Sequence, residues 1–277
     1  VCQFFSCLVL RNGNVLSHAM LDSHSDLIRY FKLPDARAYH QHFAKIELTP
    51  VDWMDVSTWK WRLDEETKPG WWDDVAAGAE AEVRRRANAM IIRDGEHDLI
   101  VDGCWIVGGT AKIRDIRSGR IVRVQDTAAL SDVWGSAQVS DVRDSAQVSD
   151  VRDSARVSGV WGSAQVSDVR DSARVSDVRD SARVSNVRGS AQVSDVRDSA
   201  QVSDVRDSAR VSGVWGSAQV SDVRDSARVS DVRDSARVSG VGPDVVLDAS
   251  AKTHCADAPA PAAAPTPKKT RTRKAKS

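Results

Sequence analysis

The chain has 277 residues, enough for one ordinary domain and a second element. Its 39 basic and 39 acidic residues cancel, so the overall charge gives no sign of a polyanionic partner. No apolar run approaches the ~20 residues needed to span a bilayer, which excludes a membrane-spanning helix and predicts no membrane contact.

Residues 1–98 read as a small mixed α/β module. Phe4 to Leu10 and Val15 to His18 are apolar runs separated by Arg11-Asn12-Gly13-Asn14, and Asn-Gly between such runs predicts a hairpin. The opening run has no basic residue before it and no small-residue cleavage site, so it does not read as a signal peptide. Asp22-Ser23-His24-Ser25 offers helix N-caps, and Asp26 to Phe31 follows with helical apolar spacing, stopping before Pro34. Ala44 to Leu48 and Thr58 to Leu63 are predicted strands. Ala76 to Met90, rich in Ala, Glu and Arg, is a predicted helix. Trp53, Trp59, Trp61, Trp71 and Trp72 are dense for so small a module and are expected to fill its core.

Residues 99–130 form a transition. Leu99 to Val101, Cys104 to Val107, Ala111 to Ile113 and Ile121 to Val124 are short β-prone pieces between glycines, expected to be irregular first coils that cap a stacked array.

Residues 131–247 are that tandem array. A nine-residue unit, Ser-Asp-Val-Arg-Asp-Ser-Ala-Gln/Arg-Val, runs twelve times from Ser131 and decays after Ser239. The third, seventh and ninth positions are apolar, as in Val142, Ala146 and Val148. Ala146 and Val148 alternate as on a strand, whereas the step of three from Val148 to Val151 predicts a corner at Ser149-Asp150. Near-identical short units bury an apolar face only by stacking, so the fold class is a β-solenoid behind an α/β module. Nine extended residues reach only ~30 Å, too little for a closed, filled coil, so each coil needs two units or three. Gly replaces Asp at the fifth position in every third unit (Gly135, Gly162, Gly189, Gly216), and Trp134, Trp161 and Trp215 fill the fourth position in three of these. A 27-residue coil would stack those tryptophans into one outward ladder. The Arg and Asp residues of the array are expected to form cross-coil ion-pair ladders.

Residues 248–277 are expected to be a disordered Ala/Pro-rich and basic tail. Lys268, Lys269, Arg271, Arg273, Lys274 and Lys276 place six cations in nine residues, a candidate for non-specific nucleic-acid contact.

The start, Cys2-Gln3-Phe4-Phe5-Ser6-Cys7 with Asp22-Ser23-His24-Ser25 downstream, resembles uncharacterised bacterial and phage proteins that open Met-Cys-x-Phe-Phe-Ser and continue into tandem repeats. The likeness covers roughly 70 residues. It implies a shared N-terminal module and no assigned activity. Val1 stands where those proteins have Met, as an alternative start codon read literally would give. The array resembles nonapeptide solenoids, whose two units per coil favour 18 residues per turn, with 27 the alternative. The calcium-binding nonapeptide solenoids carry an Asp where Ala146 and Ala155 stand, so no metal or other cofactor is expected.

An enzymatic reading rests on Cys2. Exposed by removal of an initiator, it would be an N-terminal nucleophile with its own amine as base, and Asp22, His24 and His18 are the sequence-near proton-transfer candidates. His40 and His42 at alternate positions are read as a solvated loop rather than a metal site. The four cysteines (Cys2, Cys7, Cys104, Cys255) lack CxxC spacing and suit reduced, cytoplasmic thiols; a virion is the other location considered. The expected function is a non-enzymatic scaffold, with Trp134, Trp161 and Trp215 as contact residues for an unknown protein partner or for self-association. A nucleic-acid-associated protein anchored by its tail and a Cys2-dependent amidohydrolase are the alternatives.

Overall fold

The structure is a computed structural model and describes residues 5–34 and 42–247. Cys2, His40 and the basic tail lie outside the described residues.

The N-terminal module is a four-stranded antiparallel sheet with a helix on each face. β1 (Phe5–Leu10) pairs with β2 (Val15–Leu16) through the expected hairpin, whose Gly13 has φ +83°. β3 (Phe43–Thr49) pairs with β1, and β4 (Lys60–Leu63) pairs with β3. α1 (His24–Tyr30) buries Leu27 and Ile28 against Leu8 and Phe43 on one face. α2 (Trp72–Asn88) covers the other, where Cys7, Val9, Ala44, Ile46 and Leu48 point. Alternation along β1 thus sends odd residues to α2 and even residues to α1. Trp59 and Trp72 are buried, and Trp53, Trp61 and Trp71 pack partly buried against the same cluster, as a core role requires. Trp59 precedes β4 instead of lying in it, yet reaches that core from the end of a short 3-10 turn over Val56–Thr58.

Beyond the module lie two parallel sheets of nine and ten short strands, running from Ile91–Ile92 and Glu96–Ile100 to Arg237–Ser239 and Val246–Leu247. Successive strands alternate between the sheets, and within the repeats each residue pairs with the one 18 positions on: Gln147 with Gln165, Val175 with Val193, Val202 with Val220. One coil is therefore two units. The 27-residue alternative does not occur. Before the repeats the offset is shorter, 17 between Leu130 and Ile113, and Trp105/Ile106 carries an irregularity. Inside each coil the third, seventh and ninth positions of both units meet; Val142, Ala146, Val148, Val151, Ala155 and Val157 are all essentially inaccessible. Two thin sheets meet over a core of Val and Ala, residue types that fit a narrow interior, with Val favouring strands.

The corner expected at Ser149-Asp150 is not one. Strand Gln147–Val151 runs through it, and the turn falls at Asp153-Ser154. In later units the second-position residue takes a left-handed conformation (Asp177 φ 58°, Asn186 φ 53°). At Asp177 and Asn186 the strand continues through that twist to the next valine, whereas at Asp168 it stops at Val166.

The module sits on the first coils. Ile91 and Ile106 belong to its core. Arg93 donates to the Met54 carbonyl (2.7 Å), and a Cβ on Gly108 would meet Met54 Sδ at 2.5 Å. A side chain there would have to displace the flexible end of Met54.

Candidate functional site

Each unit turns at its fifth position, in the left-handed region throughout: φ is 56–58° at Asp153, Asp180 and Asp207 and 65–70° at Gly135, Gly162, Gly189 and Gly216. Asp and Gly are among the residues that tolerate this conformation, which is why they share this position. The Asp side chain has a second use. Its carboxylate accepts the backbone N–H of the fifth residue one coil earlier, as Asp180 does from Gly162 (2.9 Å) and Asp207 from Gly189 (2.9 Å).

Arg at the fourth position reaches Asp at the second. The expected cross-coil pairs occur at Arg188–Asp168 (3.1 Å), Arg152–Asp132 (3.5 Å) and Arg170–Asp150. Elsewhere the partner is in the same unit, as in Arg143–Asp141 (3.1 Å) and Arg206–Asp204 (2.8 Å). The fifth-position carboxylates are directed at backbone instead, and so do not build the expected ladder.

Trp134, Trp161 and Trp215 do not stack on one another. Two units per coil place Trp161 and Trp215 on one edge, three coils apart, and Trp134 on the other. Each is half-buried between arginines of the coils before and after: Arg143 and Arg179 lie 3.9 and 5.6 Å from the Trp161 ring centre, Arg197 and Arg233 4.4 and 5.8 Å from that of Trp215. Trp134 lies between Arg117 and Arg152 and donates its indole N–H to Asp115. The indole N–H groups of Trp161 and Trp215 are buried without a partner. The rings thus anchor arginines along the edge as well as presenting surface.

The eighth position is sorted by the coil. Odd and even units go to different sheets, so one outer face carries Gln138, Arg156, Arg174, Gln192, Arg210 and Arg228. The other carries Gln147, Gln165, Arg183, Gln201, Gln219 and Arg237. A groove of about 740 Å³ runs along the arginine-rich face, flanked by a row of serines; its counterpart on the glutamine-rich face is about 150 Å³. Counting residues over the whole array hides this sorting. Numbering the units odd and even reveals it.

In the module, His24 and Asp22 do not form a relay. The Asp22 carboxylate pairs with Arg120 (3.3 Å). His24 is buried under the sheet, with Nε2 2.9 Å from the Ile46 carbonyl. A carbonyl only accepts, so Nε2 carries a proton, and Nδ1 lies 3.4 Å from Asp64 Oδ2, an ion pair only when that nitrogen is protonated as well. Glu47, 2% exposed, accepts from Arg62 (2.6 Å), which also reaches Asp64 (3.0 Å). His24, Glu47 and Asp64 bring ligand-type atoms within 4.8 Å of one another, a combination with metal-binding chemistry that sequence reasoning misses because they are 23 and 17 residues apart. Arg62 already balances one of the two carboxylates, and the cluster reads as a polar network in which buried His24 and Glu47 meet the more exposed Asp64 and Arg62, tying α1 to the sheet. His18 accepts from the Met20 N–H and meets the Tyr30 ring at a tilt, with 4.6 Å between ring centres, and His42 is exposed. Burial pushes the Cys7 thiol up to about 12 and that of Cys104 to about 11, so neither is a ready nucleophile.

No family model matches the chain, and no curated protein or solved structure is significantly similar to it. No helix among the described residues is long and apolar enough to cross a membrane.

Proposed function

We propose that the protein is a non-enzymatic scaffold of phage or bacterial origin that displays repeated surface groups along a rigid solenoid. The observation that carries this is the register: six coils of repeats present the same outward positions at a fixed 18-residue interval, held by backbone pairing in both sheets. Coils about 4.8 Å apart give a row of identical weak contacts, which add through effective concentration. The core of Val and Ala holds shape and leaves little interior for a substrate, while the polar side chains of the array face outward or along an edge. The α/β module closes the N-terminal end and offers a second surface for attachment.

The test is cross-linking mass spectrometry in expressing cells, with the full chain and with a chain lacking residues 176–211, two whole coils. The scaffold reading expects partner cross-links spread over equivalent array positions and reduced in number by the deletion. Cross-links confined to residues 5–90, or turnover of an amide substrate that requires Cys2, would overturn it.

A further inference from the structure

We infer that the arginine-rich face of the solenoid binds single-stranded nucleic acid through its phosphate backbone. The inference rests on the scaffold reading for the rigidity of the face and adds the class of ligand. Arg156 and Arg174 stand side by side in paired strands, as do Arg210 and Arg228, with Gln192 between the pairs. Like charges directly opposite on a sheet repel. The array's aspartates sit at the second and fifth positions, where they pair with fourth-position arginines or bind backbone N–H groups, and among the described residues none pairs with these four guanidinium groups. A nearly neutral array therefore presents one face with four cations in single file. Guanidinium is the side chain best shaped for phosphate oxygens.

The shape selects one strand. The groove extends over about five coil steps, from Arg156 to Val246, or ~24 Å at ~4.8 Å per coil. The arginines stand in a single line, which matches the one phosphate line of a strand, whereas a duplex would present a second line with no cations opposite it. Serines flank the row and supply hydroxyl donors; no aromatic residue lines the groove, so bases are not stacked and binding is independent of sequence.

The experiment measures fluorescence anisotropy of labelled dT20 from 50 to 200 mM salt. Both proteins are full-length and carry Gln at Lys268, Lys269, Arg271, Arg273, Lys274 and Lys276, which removes the tail's basic cluster. One of them also carries R156Q, R174Q, R210Q and R228Q. Gln occupies this position naturally at Gln138 and Gln192, so the fold tolerates it, and far-UV circular dichroism checks this. With four phosphates neutralised, log K should fall against log salt with a slope of about −2.8. The four substitutions should flatten that slope and weaken binding at 50 mM salt at least tenfold. A pair on the other face, R183Q with R237Q, should leave affinity within twofold, and a duplex of equal length should bind more weakly. Unchanged affinity and slope in the fourfold variant, an equal loss in the opposite-face pair, or preference for duplex would each overturn the inference. Loss of coil-dependent protein cross-links with dT20 binding intact would sink the scaffold reading alone.

Discussion

Truncating a core valine in the middle of the array should cost more than the same change at its end. Val202 is 1% exposed and lies in register between Val184 and Val220 on the adjacent coils. Val202→Ala removes two methyl-sized groups, worth about 1.6 kcal/mol at ~0.8 each. The coil spacing is fixed by backbone pairing on both sides, so the void relaxes little; roughly 40 Å³ at ~24 cal/mol per Å³ adds about 1 kcal/mol. The total is about 2.6 kcal/mol. Val238 is also buried but lies in the last strand of its sheet, paired on one side only. There the neighbours can close in, and Val238→Ala should cost about 1.6 kcal/mol. Urea unfolding followed by circular dichroism at 218 nm measures both, provided the slopes stay equal. Equal costs, the reverse order, or less than about 1 kcal/mol for Val202→Ala would refute a rigidly spaced core.

The fifth-position turn gives a second ordering. Asp198 has φ 58° and accepts the Asp180 N–H at 3.4 Å. Asp198→Gly keeps the conformation and loses only that long bond, so it should cost less than ~1 kcal/mol. Asp198→Ala forces a Cβ without a compensating polar group into the left-handed region and should cost about 1 kcal/mol more, by the same unfolding assay. Acid provides a third. Hydrogen bonds from Arg85 and Arg86 hold Glu82 down to about 2 from an ordinary 4.5. A depressed carboxyl stabilises the fold fully above pH 4.5 and loses that contribution as pH falls toward 2. The gap in melting temperature between wild type and Glu82→Gln should therefore shrink from pH 6 to pH 2. A gap constant across that range would show that Glu82 is not linked to folding.

The solenoid is legible in the sequence because its signal is local and repeated. The apolar third, seventh and ninth positions predict which residues point inward, and within the twelve full units they do. The hairpin at Asn12-Gly13 and both helices are legible for a similar reason, turn chemistry and periodicity being short-range. The corner at Ser149-Asp150 is misplaced because a step of three between valines looks like a break, whereas strand pairing continues to Val151 there, and in most later units it continues through a left-handed second residue. The tryptophan ladder depends on the number of units per coil, a closure property that no single unit encodes. The His24–Glu47–Asp64 network is out of reach because it joins a helix start, a central strand and the residue after a strand end, and nothing in their spacing brings them together.

The two halves of a coil have the same interior, and this bears on how such an array changes length. Inserting or removing a single unit of nine residues leaves every inward position filled by the same Val or Ala, so the core registers no error. The exterior does. All strands downstream cross to the opposite sheet, and their eighth-position residues change faces with them. Insertions of one unit thus redistribute Arg and Gln between the two surfaces, while insertions of two merely lengthen each row. Parity of the unit count governs the charge pattern of the faces, and stability is indifferent to it.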